Sequence, residues 1–158
     1  MEVEHGYAAR GAGWAWPARA PGGPGAEDYP PPAVARTLGL RLVRLGPGEA
    51  EFAMTVGEAH HSPMGTVHGG ILCDIGDAAM GTAFASGLQA DETFTTLEIK
   101  ANFLRPMWQG EILAAARVLS HGRTIGLVEC DIRDERGRAV AHLTSTCMVL
   151  RGEAAAGR

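Results

Sequence analysis

The sequence predicts an α+β fold in which a long antiparallel β-sheet wraps around one central α-helix. The prediction rests on one long apolar segment with helical spacing, two strand-like runs before it and four after it. One helix packed on one curved sheet is a two-layer arrangement. A chain of 158 residues supports a single domain of this kind.

The central helix is predicted from the segment between Gly65 and Ser86, with Gly87 as its C-terminal stop. At 100° per residue, one side carries small or apolar residues, namely Ile71, Ile75, Ala78, Thr82 and Ala85. Asp74, Asp77 and Gly81 form a second stripe. A helix with so little charge is buried on most sides, so its two carboxylates must be paired, hydrogen-bonded or functional.

Strand-like runs flank this helix, which is expected to begin at about His68. Before it, two period-2 runs surround a Gly-Pro-Gly turn and are typical of a β-hairpin, at 38–45 and 49–56. Four more runs follow the helix, at 93–104, 112–120, 124–133 and 139–150. Strict alternation in the first of these predicts one face with Leu97, Ile99, Ala101 and Phe103, and an opposite face with Thr96, Glu98, Lys100 and Asn102.

The ends of the chain are expected to lie outside the domain, which covers residues 33–151 and opens with a helical turn at 33–37. Residues 1–32 are rich in Gly, Ala, Pro and Arg without a strand or helix period, which predicts a disordered arm. Trp14 and Trp16 are either chance aromatics in that arm or a docking patch for a partner subunit. Residues 152–158 are expected to be a frayed tail.

Composition argues against several classes of function. The net charge is −4 and no basic cluster is present, so a nucleic-acid partner is not expected. No apolar stretch is long enough to span a bilayer, so no membrane partner is expected. Cys73, Cys130 and Cys147 are widely spaced among apolar residues, which favours reduced, buried thiols and a cytoplasmic location.

The chemistry-bearing residues cluster around the start of the helix. Gly69 and Gly70 place side-chain-free backbone at a helix N-terminus, where unpaired N–H groups favour an oxyanion. Asp77 has no Lys or Arg within residues 65–86 to pair with, which favours a catalytic carboxylate, whereas Asp74 is interpreted as a structural acid. The spacing of the nearby histidines matches no common set of metal ligands, so no metal site is expected.

Several motifs are found together. His68-Gly69-Gly70 is followed nine residues beyond the histidine by Asp77, and then by Phe94-Thr95-Thr96-Leu97-Glu98-Ile99 and Asn102-Phe103-Leu104-Arg105-Pro106. This combination resembles the hotdog-fold acyl-CoA thioesterases of the phenylacetic-acid-degradation (PaaI) type. The resemblance covers about residues 33–151.

The resemblance implies roles for individual residues. Asp77 would be the general base or the nucleophile, the Gly69 N–H would polarise the thioester carbonyl, His68 would shape the turn, and Thr96 would help to place the attacking water. The site would lie between two subunits of a homodimer or a dimer of dimers. It would hydrolyse an aryl or medium-chain acyl-CoA to the free acid and coenzyme A, with no cofactor.

The resemblance also implies residues that contact the substrate. His68 would also lie near the thioester, and Gly70 would contact the substrate. The coenzyme A arm would run along the end of the sheet near Arg105 and the turn that carries Arg123 and Thr124. Relatives commonly carry Asn or Gln six residues before the histidine, where this chain has Ser62. Either Ser62 acts through a water molecule, or His61 takes over this contact, or turnover is poor.

Two other functions remain open at this point: a non-catalytic acyl-CoA binding module that keeps the fold, and an acyl hydratase or dehydratase that uses His68 with Asp77. The residues also leave open the acyl group, the carrier (coenzyme A or acyl carrier protein), and dimer versus tetramer.

Overall fold

A computed structural model describes residues 31–156. Residues 1–30 of the predicted arm at 1–32, with Trp14 and Trp16, lie outside the described residues. The elements follow in the predicted order: α1 (Ala33–Leu38), β1 (Arg41–Gly46), β2 (Glu49–Val56), α2 (Gly69–Ala85), β3 (Glu92–Phe103), β4 (Gly110–His121), β5 (Ile125–Asp134) and β6 (Ala139–Arg151). Short 3-10 helices lie at Glu58–His60 and Gly152–Ala155.

The six strands form one antiparallel sheet in the order β1-β2-β4-β5-β6-β3. Helix α2 connects β2 to β3, so β3 crosses to the far side of the sheet and pairs with β6. Strands β1 and β3 are therefore the two edges. The unpaired backbone groups of an edge strand can accept another strand.

Helix α2 fills the concave face of the sheet, as predicted. Its core-facing residues extend beyond the predicted stripe and include Leu72, Ile75, Ala79, Met80, Ala83 and Phe84. Ile71 and Ala78, expected on the buried side, are only half-buried. The difference arises because the curved sheet wraps more than one face of the helix, and at Gly76 it approaches closely enough that a Cβ would lie 2.7 Å from Leu143.

Strand β3 departs from strict alternation. Its pairing register with β6 shifts between Thr96 and Glu98, and a bulge of this kind inserts one extra residue and reverses the face of every residue after it. Phe94, before the shift, and Ile99, after it, therefore both pack against the core. The prediction that Thr96 lies on the face opposite Ile99 is wrong, because Thr96 bonds to helix α2.

The chain beyond β6 is held near the start of β3. Arg151 forms an ion pair with Glu92, whose side chain is 8% exposed, and residues Gly152–Ala155, which the sequence places in a frayed tail, form a 3-10 helix. None of the helices within residues 31–156 is both long and apolar enough to cross a membrane.

Candidate active site

The turn before α2 presents one free backbone donor. His68 is the N-cap of the helix, and its Nδ1 accepts a hydrogen bond of 2.9 Å from the Gly70 N–H. Between residues 31 and 156, no acceptor meets the Gly69 N–H. Since the helix dipole makes this end positive, the Gly69 N–H is suited to a developing negative charge.

An aromatic ring lies directly on this turn. A Cβ at Gly69 would lie 2.8 Å from the ring of Phe103, the last residue of β3. The side chain of Phe103 is 56% exposed, so the ring is held against the turn rather than in the core. Glycine at position 69 permits this close approach, which leaves the N–H in a partly apolar environment.

A cavity of about 400 Å³ opens beside the turn. Its walls are mostly apolar, with three polar side chains from Ser62, Thr66 and Arg105. They are formed by Ser62, Met64, Thr66, Val67, Gly69, Leu72, Phe103, Leu104, Arg105, Pro106 and Met107. The cavity therefore brings together Ser62, Gly69 and Arg105 from the predicted site. It contains no carboxylate.

The loop before the turn is fixed by hydrogen bonds within the chain. The Nε2 of His61 lies 2.6 Å from the carbonyl oxygen of Trp108, which ties this loop to the segment between β3 and β4. The Oγ of Ser62 accepts a bond of 3.3 Å from the Met64 N–H. His61 is thus held by the protein itself, whereas Ser62 lines the cavity.

Asp77 lies two turns further along α2, away from the cavity. Its Oδ1 is 3.4 Å from the Oγ1 of Thr96, which donates to it across from β3. The residue is exposed at the surface of the single chain, but helix and strand exclude enough water from the carboxylate to raise its pKa. The Thr96 bond opposes this shift, and the negative charge of Asp74 adds to it.

Asp74 differs from Asp77 in its surroundings. It is exposed and meets no Lys, Arg or His among the residues that the structure describes. Asp74, interpreted as a structural acid, therefore forms no ion pair within the described residues, and a bond to a cation of a partner subunit stays a prediction. Its effect on the site is electrostatic, through its repulsion of a negative charge on Asp77.

The free donor and the acid are separated within one chain. Gly69 and Asp77 are eight residues apart on α2, or about 12 Å along the axis. An aspartate side chain does not span that distance, so one carbonyl group cannot touch both. The described part of the chain also brings no three His, Cys, Asp or Glu side chains together around an ion.

Comparison with known proteins shows the family of this chain. Residues 64–141 match the thioesterase superfamily. A 1,4-dihydroxy-2-naphthoyl-CoA hydrolase from Listeria monocytogenes is 31% identical over 99 residues, which cover 63% of this chain and 80% of that protein. The acyl-coenzyme A thioesterase PaaI of Escherichia coli is 31% identical over 115 residues, which cover 72% of this chain and 79% of that protein.

The chain belongs to the thioesterase superfamily. Solved structures show the same architecture: a conserved protein of Pseudomonas aeruginosa has a TM-score of 0.73 at 34% identity, covering 80% of this chain and 100% of that one. The structure of PaaI from E. coli has a TM-score of 0.71 at 26% identity, covering 76% and 86%. This thioesterase is therefore a thioester hydrolase with the hotdog fold, as the sequence predicts.

The thioesterase does not gather every predicted substrate-binding residue in one place. Arg105 follows the C-terminal end of β3 and lines the cavity. Arg123 and Thr124 are exposed on the β4–β5 turn, and Arg151, which pairs with Glu92 at the start of β3, donates to the Arg123 carbonyl. Because β3 is 12 residues long, its two ends are about 35 Å apart. A coenzyme A arm that contacts both Arg105 and Arg123, as predicted, would therefore need these residues from more than one chain.

Sequence reasoning did not assign a role to two residues of this site. Phe103 was placed only in a motif and on one face of a predicted strand, and its contact with Gly69 joins positions 34 residues apart in sequence. The carbonyl of Trp108, which holds His61, carries no side-chain signal at all. Only the fold of the thioesterase reveals both contacts.

Proposed function

We propose that the protein hydrolyses an acyl-CoA thioester to the free acid and coenzyme A, in a site formed between two copies of the chain. The names of the Listeria hydrolase and of PaaI, which both refer to coenzyme A esters, support this substrate class. The chemistry requires water and no cofactor.

The separation of the free donor from the acid carries this proposal. The Gly69 N–H lies beside a cavity without a carboxylate, and Asp77 lies about 12 Å away along the helix. A two-fold arrangement solves the problem, because Gly69 of one copy can face the partner's Asp77 and the reverse. Each homodimer, or each dimer within a dimer of dimers, would then hold two sites.

The open edge of β3 supports such a two-fold arrangement. Two copies of β3 paired in antiparallel fashion would form a continuous sheet and satisfy the free backbone groups. The Phe103 end of one strand would then lie near the Thr96 end of the other. Burial in this seam would raise the pKa of Asp77 further, which suits a group that must accept a proton from water.

The reaction follows from these positions. The Gly69 N–H donates to the carbonyl oxygen of the thioester as negative charge develops on it. A water molecule attacks the carbonyl carbon while the partner's Asp77 takes its proton, the C–O bond forms, and the C–S bond breaks. The proton passes to the leaving sulfur, so the products are the carboxylic acid and the thiol of coenzyme A. Direct attack by Asp77 is the variant of this scheme, with water cleaving the resulting anhydride.

Three neighbours would support this step. Thr96 donates to Asp77 and would orient the carboxylate and its water. His68 holds the turn through its bond from Gly70, so it acts on backbone geometry. Ser62 lies in the cavity wall and would contact the thioester through a water molecule. Because the Nδ1 of His68 is already bonded, a hydratase in which this atom works with Asp77 is not favoured.

The thiols support a reducing, cytoplasmic environment for this enzyme. Cys73, Cys130 and Cys147 are free. Burial raises the pKa of the Cys130 thiol to about 12 and also raises the pKa of Cys147 and Cys73. The three thiols are therefore protonated and unreactive at neutral pH.

The matched pair of acids on α2 tests the proposal. Asp77→Asn should lower kcat for a panel of aryl and medium-chain acyl-CoAs by about 10² to 10⁴-fold, the usual contribution of a general base, measured by release of free thiol. Asp74→Asn makes the same change one turn earlier and should retain most of the activity.

Hydrolysis that survives Asp77→Asn but not Asp74→Asn would show that the acid is wrongly assigned. Tight acyl-CoA binding without thiol release by the wild type would instead indicate a binding module, and hydration of a 2-enoyl-CoA would indicate a hydratase.

A further inference from the structure

Helix α2 carries four glycines, and the fold of one chain explains three of them. A Cβ would lie 2.8 Å from Phe103 at Gly69, 2.8 Å from His68 at Gly70, and 2.7 Å from Leu143 at Gly76. At distances this short the neighbouring side chain would have to move, so packing within one chain favours glycine at these three positions.

Gly81 is different. A Cβ at this position would lie 3.3 Å from Cζ of Phe94, with the next atom of the same ring at 3.7 Å. Phe94 is half-buried, so its ring can shift by the small distance that alanine needs. Glycine inside a helix is less stable than alanine, and nothing else in the described chain requires it here.

The position of Gly81 offers a reason. It lies one turn after Asp77 on the same side of α2, and Phe94 lies two residues before Thr96 on β3. The Gly81–Phe94 contact is therefore next to the Asp77–Thr96 pair, about 6 Å further along the helix axis. Behind it, the ring of Phe94 packs edge-to-face on the buried Phe84, with the ring centroids 5.4 Å apart. The two rings form an apolar wall.

We propose that Gly81 and Phe94 bound the acyl end of the substrate, and that glycine at position 81 selects thioesters whose acyl group extends past Asp77. This inference rests on the function proposed above. An acetyl group is too short to reach Gly81 from a carbonyl beside Asp77, whereas an aryl ring or a medium-length chain reaches it. A side chain at position 81 would occupy the space of that group and push the Phe94 ring toward it.

The test compares substrates within each variant. Benzoyl-CoA and hexanoyl-CoA report on the long acyl group, acetyl-CoA reports on the chemistry, and free thiol is measured. Gly81→Ala should lower kcat/KM for the two longer substrates by about ten-fold or more, the usual effect of one methyl group in a tight pocket, and leave that for acetyl-CoA unchanged. Gly81→Val should enlarge the difference. The melting temperature of Gly81→Ala should not fall, because alanine favours the helix.

Gly87→Ala is the matched control. It lies just beyond the helix, where a Cβ would meet only the Phe84 carbonyl oxygen at 3.7 Å, and it should leave the ratio between long and short substrates as in the wild type.

Three results would overturn the inference: an unchanged ratio in both Gly81 variants, an equal loss on all substrates, or a change of oligomeric state in Gly81→Ala by light scattering. The last would show that the glycine serves contact between two copies of α2. These outcomes differ from failure of the proposed function, which would appear as no thiol release from any acyl-CoA by the wild type.

Discussion

The two ends of strand β3 meet different parts of helix α2. At its C-terminal end, Phe103 lies on Gly69, next to a free backbone donor and a cavity without any carboxylate. Nearer its N-terminal end, Thr96 bonds to Asp77, an acid whose pKa is raised by burial. One region can stabilise a negative charge and the other can remove a proton. Neither is a complete hydrolytic site, which is the main reason to place the reaction between two copies.

The free donor at Gly69 can be removed selectively, and the loss of activity should be comparable to that expected for Asp77→Asn. Gly69→Pro removes only one N–H, because proline fits the first position of a helix and His68 already has the extended backbone, φ −64° and ψ 135°, that a residue before proline prefers. Losing one oxyanion donor should lower kcat by about 10² to 10³-fold, as measured by thiol release.

Gly69→Ala is the control for this change, since it brings the same Cβ against Phe103 but keeps the N–H. If the Gly69 N–H stabilises the oxyanion, kcat should be much lower in Gly69→Pro than in Gly69→Ala. An equal loss in both would assign the effect to the displaced ring instead.

A dimer that combines a chain lacking the acid with a chain lacking the donor tests whether the two groups act across the subunit interface. Mixed dimers of Asp77→Asn and Gly69→Pro chains, purified through two different tags, should recover about half of the wild-type rate, because one of the two sites would draw its intact acid and donor from different chains. Each variant alone should stay nearly inactive. If the mixed dimers are as inactive as their parents, each site is contained within a single chain.

Removing the bond between Thr96 and Asp77 should have a smaller effect, which depends on pH. Ionised Asp77 is the form that accepts a proton, so kcat/KM should fall as the pH drops through its pKa. The bond from Thr96 lowers this pKa, so Thr96→Val should raise it and move the acid limb of the profile to higher pH. A hydrogen bond to a charged group contributes about 1.5 to 3 kcal/mol. Because the bond from Thr96 is long, at 3.4 Å, we expect a loss at the lower end of this range and smaller than those above.

Thr95→Val provides the control, because Thr95 is the adjacent threonine and points to the other face of β3. Its pH profile should match that of the wild type. A profile of Thr96→Val that is identical to the wild type would mean that the bond to Asp77 does not influence the reacting carboxylate.

Much of the fold and part of the site could be predicted from local sequence. The apolar spacing of α2, the turn at His68-Gly69-Gly70 and the strand runs all depend on contacts between near neighbours, and the structure confirms them. Alternation failed at Thr96 because a single inserted residue in β3 reverses the faces on either side of it. No local pattern marks such a bulge, since it depends on the register with β6.

The sequence by itself determined the elements, the architecture and the family, because periodicity, turn glycines and motif spacing are properties of the chain. Only the tertiary structure decided which residues meet. It placed Phe103 on Gly69, joined Thr96 to Asp77, and put Arg105 and Arg123 at opposite ends of the molecule. The physical reason is that these contacts link positions far apart in sequence, whose distances are set by strand order and helix packing and leave no trace in the spacing of residues along the chain.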